Sequence, residues 1–94
     1  MKLYIDTSSS ERIIIMLGEK QFETDSKRDR SQALLPFIVE TLRLEGIGLK
    51  HISEVEVNTG PGSFTGLRVG ASVGNALAWA LKVPGYFTQL NYSK

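Results

Sequence analysis

The sequence predicts an α/β domain with a five-stranded mixed sheet, its elements in the order β-β-β-α-β-α-β. Three observations predict it. Short apolar or alternating runs fill the chain before residue 27. Two later segments carry apolar residues at helical spacing. A further alternating run, SEVEV, stands between those two segments. Strands that come first as a group and then alternate with helices give an antiparallel meander, followed by parallel strands joined through helical crossovers.

KLYIDT (2–7) reads as the first strand and ERIIIMLG (11–18) as the second, joined by the turn formers Ser8, Ser9 and Ser10. The run Ile13-Ile14-Ile15-Met16-Leu17 is apolar on both faces, which predicts a central strand covered on both sides. After the turn Gly18-Glu19, KQFETDS (20–26) alternates as a third, outer strand. The charge run Asp25-Ser26-Lys27-Arg28-Asp29-Arg30 reads as a solvated loop. The first helix runs from Asp29 to Glu45 and stops at Gly46 and Gly48. Leu34, Leu35, Ile38, Val39 and Leu42 form its core face, with Ala33, Phe37 and Leu44 on a flank and Gln32, Glu40 and Arg43 on the wet side. Pro36 lies near its first turns, where proline is tolerated early and kinks the helix later. SEVEVN (53–58) is the fourth strand, the second helix runs from Phe64 to Lys82, and VPGYFTQL (83–90) closes with a short fifth strand.

A chain of 94 residues, 1–94, makes one domain with one core, too small for a deep cleft between two lobes. Apolar content of 41% and a mean hydropathy near zero describe an ordinary globular protein. The net charge is +1 and the cations are dispersed, which argues against unaided nucleic-acid binding. The absence of cysteine excludes disulfides, thiol catalysis and cysteine metal sites. MKLYIDT is too short an apolar run for a signal peptide and no segment approaches a membrane span, so a cytoplasmic location with no membrane partner is expected.

The stretch NTGPGSFTGLRVG, between the fourth strand and the second helix, sits where many proteins hold a phosphate. The known templates do not fit it. A Walker A loop needs Lys and Ser or Thr after its last glycine, whereas Gly66 is followed by Leu67 and Arg68. The dinucleotide pattern is G-x-G-x-x-G, whereas Gly60, Gly62 and Gly66 read G-x-G-x-x-x-G, and Pro61 removes an N–H from the cradle. An anion site at the helix N-terminal amides near Ser63, Phe64 and Thr65 stays open. The candidate cofactor-binding residues are Asp6 and Thr7, at the end of the first strand, with Gly62 and Ser63. One carboxylate and one hydroxyl do not make a paired acid and base, so no catalytic residue is assigned. His51 is the sole histidine and is expected at the surface; no metal site and no cofactor are expected.

Gly66, Gly70, Gly74 and Ala78 recur every four residues and form one stripe of the second helix. A glycine inside a helix costs about 0.5–1 kcal/mol relative to alanine. Close approach of another backbone offsets that cost, and a helix lying tightly on its own sheet accounts for the stripe. Leu67, Val69, Val73, Ala76, Leu77, Ala80 and Leu81 widen the apolar arc beyond half the circumference, more than a sheet-packed helix needs. The remaining side carries Arg68, Ser72, Asn75 and the sole tryptophan, Trp79, which points to a contact surface.

"IDTS" at Ile5–Ser8, "SQALLPFI" at Ser31–Ile38 and "GPGSFTGLRVG" at Gly60–Gly70 resemble the TsaB (YeaZ) family in content, order and spacing. The resemblance spans residues 1–90 but only the first half of a typical member, so the family's second lobe is expected to be absent. It implies a ribonuclease H-like, actin-like ATPase lobe of the Gcp-like kind. It further implies a non-catalytic scaffold subunit that binds a TsaD-type enzyme, which transfers threonylcarbamoyl to adenosine beside the anticodon of certain tRNAs. On that resemblance the two helices form the heterodimer face, with Phe37, Leu44, Gly66, Gly70, Gly74 and Trp79 as interface residues. The same face supports a homodimer when the chain is alone, and tRNA is met only indirectly through the complex. Arg30 stands where the family usually has a histidine, so no role of that histidine carries over. The competing reading is a small nucleotide-binding or hydrolytic enzyme of the actin-like ATPase or peptidase-like kind, using Asp6, Thr7 and the glycine loop.

Overall fold

Side-chain alternation builds the sheet. In the computed structural model, which describes residues 1–9, 11–25, 30–62 and 64–86, strand β1 (Lys2–Asp6) buries Leu3 and Ile5 and turns Lys2, Tyr4 and Asp6 to the opposite face. β2 (Arg12–Leu17) buries Ile13, Ile15 and Leu17, and β4 (Glu54–Val57) buries Val55 and Val57. β3 (Lys20–Asp25) is an edge strand with Phe22 as its inward apolar residue. β5 is the two-residue pair Gly85–Tyr86. The sheet order is β3-β2-β1-β4-β5, antiparallel from β3 to β1 and parallel from β1 to β5. Pairing of Ile5 with Ile15 and Val57, and of Ile15 with Phe22, lines these side chains up across one face.

That face carries both helices, α1 (Arg30–Glu45) and α2 (Phe64–Leu81), which also touch each other. Leu3, Ile5, Ile13, Ile15 and Val55 are wholly buried beneath them, each contributing about 1.5–3 kcal/mol of burial. The expectation that β2 is covered on both sides is corrected here. β1 holds the centre of the sheet, and Ile14 and Met16 on the other face of β2 are only half-buried. Neighbouring side chains shield them: Tyr4 and Met16 are paired across the strands, and the ion pairs Lys2–Glu56 (2.8 Å) and Arg12–Glu23 (3.0 Å) lie on the same side. The fifth strand, expected over 83–90, is confined to Gly85–Tyr86 among the described residues. Positions 87–90 lie outside them, as do Ser10 and most of the charge run at 26–29.

The core face of α1 also differs from expectation. Leu34, Ile38 and Leu42 are buried, with Ala33 and Phe37 packed beside them, whereas Leu35 and Val39 are 44% and 50% exposed. At 100° per residue, Thr41 falls in the middle of the buried arc and Leu35 and Val39 on its rim. Thr41 is buried because its hydroxyl donates to the Phe37 carbonyl at 2.7 Å, which removes the cost of hiding it. Pro36 is the seventh residue of the helix, interior rather than terminal, and sits on the exposed side where the released carbonyl meets water.

Both helices end in the same backbone motif. After α1, Gly46 adopts φ 68°, its N–H donates to Arg43 O (3.2 Å), and Ile47 N–H donates to Leu42 O (2.9 Å). After α2, Lys82 adopts φ 57°, with Lys82 N–H to Trp79 O (3.2 Å) and Val83 N–H to Ala78 O (3.0 Å). A left-handed conformation comes without strain to glycine and at a cost to lysine.

Candidate functional site

The parallel pairing of β1 with β4 brings the tips of both strands together, so Asp6, Thr7 and Ser8 meet Asn58 and the glycine loop. Asp6 Oδ1 accepts three hydrogen bonds: from Ser8 N–H (3.0 Å), Ser8 Oγ–H (2.6 Å) and Asn58 Nδ2 (3.1 Å). Asn58 N–H donates to Ile5 O (2.8 Å), and Asn58 Oδ1 accepts from Gly60 N–H (3.0 Å). One carboxylate and one amide thus lock the two strand tips and the start of the loop. Burial, then the carboxylates of Asp6 and Glu56, push the Tyr4 phenol above its usual pKa.

Thr7 takes no part in that network and points the opposite way, into the core. It is 1% exposed, and its hydroxyl donates to the Gly66 carbonyl at 2.5 Å. Gly62 lies directly on the turn after β1: a Cβ there would stand 2.5 Å from Ser8 Cβ and 2.9 Å from Ser8 Cα. Of the candidate ligand residues, Asp6, Thr7 and Gly62 are therefore brought together, and each is engaged with protein. Ser63 lies outside the described residues. His51 is exposed, and its Nδ1 accepts Gly48 N–H at 3.2 Å. Among the described residues no group of three or more His, Cys, Asp or Glu is placed to hold a metal ion.

The glycine stripe faces the sheet, and this corrects the assignment of Gly66, Gly70 and Gly74 to an interface. All three are buried. A Cβ on Gly70 would strike Thr7 Oγ1, and one on Gly74 would stand 2.6 Å from Val57 Cγ1. The space a partner would need is taken by β1 and β4. The other three candidate interface residues divide: Leu44 is 68% and Trp79 84% exposed, while Phe37 packs partly against the core.

Trp79 points away from the sheet, next to Ser72, Asn75 and Ala76. Between the helices a shallow apolar groove is lined by Leu35, Ser72, Val73, Ala76, Leu77 and Ala80. Sequence reasoning missed Leu35 and Val39 as surface residues, and missed Asn58 as the joint between strand tips. An asparagine closing a strand before a glycine turn was the available signal for the second.

The family model described as "TsaD: tRNA N6-adenosine threonylcarbamoyltransferase" matches residues 23–89. The "tRNA threonylcarbamoyladenosine biosynthesis protein TsaB" of Haemophilus influenzae is 36% identical over 85 residues, 87% of this chain and 36% of that protein. The protein of the same name from Bacillus subtilis is 33% identical over 86 residues, 87% of this chain and 38% of its own length. The solved structure "YeaZ from Pseudomonas aeruginosa" superposes with a TM-score of 0.76 at 27% identity, over 94% of this chain and 43% of that one. The chain thus spans well under half the length of these relatives. Among the described residues no helix is long and apolar enough to cross a membrane. With the family-model match over residues 23–89, the 33–36% identity to the two curated relatives and the superposition in agreement, the chain belongs to the family of this threonylcarbamoyltransferase model and, within it, to the TsaB (YeaZ) proteins.

Proposed function

We propose that the chain is a non-catalytic scaffold subunit in threonylcarbamoyladenosine formation on tRNA, a ribonuclease H-like, actin-like lobe that binds a TsaD-type enzyme through the outer sides of α1 and α2. The observation that carries this reading is the apolar surface left open there: Leu35 and Val39 on α1, Trp79 on α2, and the groove between the helices, with Leu44 exposed on the other flank of α1. Exposed apolar residues concentrated on two adjacent helices mark a protein contact surface, and an exposed tryptophan is the side chain most enriched where such contacts carry affinity. The same surface serves a homodimer when the enzyme is absent. The tRNA is met through the complex, in the cytoplasm.

The strand tips support the scaffold reading over a nucleotide-binding one. Asp6 Oδ1 is committed to Ser8 and Asn58, Thr7 is turned into the core, and Gly62 is closed against Ser8. Titration of the chain with the TsaD-type protein of the same source tests the proposal. Saturable binding that is lost in Trp79→Ala combined with Val39→Asp supports it. Absence of binding, together with saturable ATP–magnesium binding that Asp6→Ala removes, overturns it.

A further inference from the structure

We propose that Thr7 is a positioning residue: keyed into the glycine seam and held by the clasp of Asp6, Ser8 and Asn58, it sets the seat of α2 on the sheet and so the placing of the outer face that carries Trp79. The inference rests on the reading of that face as the partner surface. Helices usually acquire their register on a neighbour by interlocking side-chain ridges and grooves. Along Gly66, Gly70 and Gly74, α2 has no ridge of its own, so along that line the seam permits close approach, and the register there is left to the buried Leu67 and the flanking Val73 and Leu77. Thr7 adds a directional key within the seam itself. Its Oγ1 occupies the notch where a Gly70 side chain would begin, and it donates a directional, buried hydrogen bond to Gly66 O at 2.5 Å.

A key works only if it is itself held. Asp6, the residue before Thr7, ties Ser8, the residue after it, to Asn58 on the neighbouring strand. Ser8 in turn abuts Gly62, at the entry to α2. The N-terminal end of the helix is thus fixed at two places on the β1 tip. Trp79 follows Gly66 by 13 residues, roughly 20 Å along a rigid helix. A change of seat at Gly66 is therefore delivered to the outer face, whereas loss of local packing alone stays near Thr7.

The sole tryptophan provides the readout in the free chain. Thr7→Val keeps the shape and removes the donor; Thr7→Ser keeps the donor. The indole N–H resonance of Trp79 and the amide resonances of 72–79 are expected to move in Thr7→Val and to hold their wild-type positions in Thr7→Ser. Affinity for the TsaD-type protein is expected to fall about tenfold in the first variant and to stay within about twofold of wild type in the second. Resonances at 72–79 that stay put in a folded Thr7→Val overturn the proposal. Moved resonances with unchanged affinity uphold the seating role and overturn the outer face as the partner surface. If Thr7→Val does not fold, Asn58→Ala, which opens the clasp without touching α2, is measured in the same way and judged by the same two outcomes.

Discussion

α1 and α2 lie on the same face of the sheet and meet it by opposite means. α1 stands on large branched side chains, Leu34, Ile38 and Leu42, and its contact is made of apolar area. α2 meets β1 and β4 along a glycine strip, with the buried Leu67 and the flanking Val73 and Leu77 beside it, and along that strip its contact is made of proximity. The first kind of contact is weakened by removing atoms and the second by adding them. The contrast also decides what each helix has left over. Because α2 gives glycines to the sheet, much of its apolar side-chain volume apart from the buried Leu67 lies on its sides and back, where Trp79 stands in water.

The largest expected effect comes from hollowing the α1 contact. Ile38→Ala should cost about 2–5 kcal/mol, since a wholly buried side chain leaves a cavity that the sheet cannot close. Urea denaturation would show it as a lower midpoint at unchanged slope. Next comes filling the α2 contact. Gly74→Leu should lose roughly 1–3 kcal/mol to overpacking against Val57, against a gain of up to about 1 kcal/mol in helix propensity. A variant as stable as the parent would show that the seam is loose and that the two helices do not differ in kind.

The third change compares the two helix ends. Gly46 and Lys82 occupy equivalent left-handed positions, so Lys82→Gly should raise stability by about 0.5–1 kcal/mol, visible as a melting temperature a few degrees higher. An equal or lower melting temperature would mean that Lys82 earns its strain through contacts of its side chain. The smallest expected effect on the fold is at the back of α2. Trp79→Ala should leave stability within about 0.5 kcal/mol while removing binding to the TsaD-type protein, measured by titration calorimetry.

Element order and the boundaries of both helices were legible because period-two and period-3.6 patterns, glycine stops and the glycine loop all agree. The errors fall where two side chains of similar polarity have different partners. The apolar pattern passes over Thr41, whose bond to Phe37 O lets it be buried, and burying it rotates Leu35 and Val39 out of the core. The five apolar residues of β2 read as a strand covered twice, because periodicity cannot distinguish a helix above Ile14 and Met16 from shielding by neighbouring strands. At the strand tips, Asp6 and Thr7 were singled out by position alone. Their opposite orientations, one in the clasp and one in the seam, follow from the strand's two-residue alternation. The partner of the clasp, Asn58, is 52 residues away from Asp6, and only the parallel pairing of β1 with β4 brings it near.

The seam between Gly74 and Val57 has a consequence for how such a chain changes over generations. The methyl group of Val57 and the absent Cβ of Gly74 contend for one small volume, so the two positions behave as a single site divided between a strand and a helix. A methyl added on the helix finds room only if one is given up on the strand, and the single steps are worse than the double step. The pair is therefore a ratchet. Once glycine and valine are in place, neither drifts alone, and the closeness of α2 to the sheet is preserved by the cost of the first move.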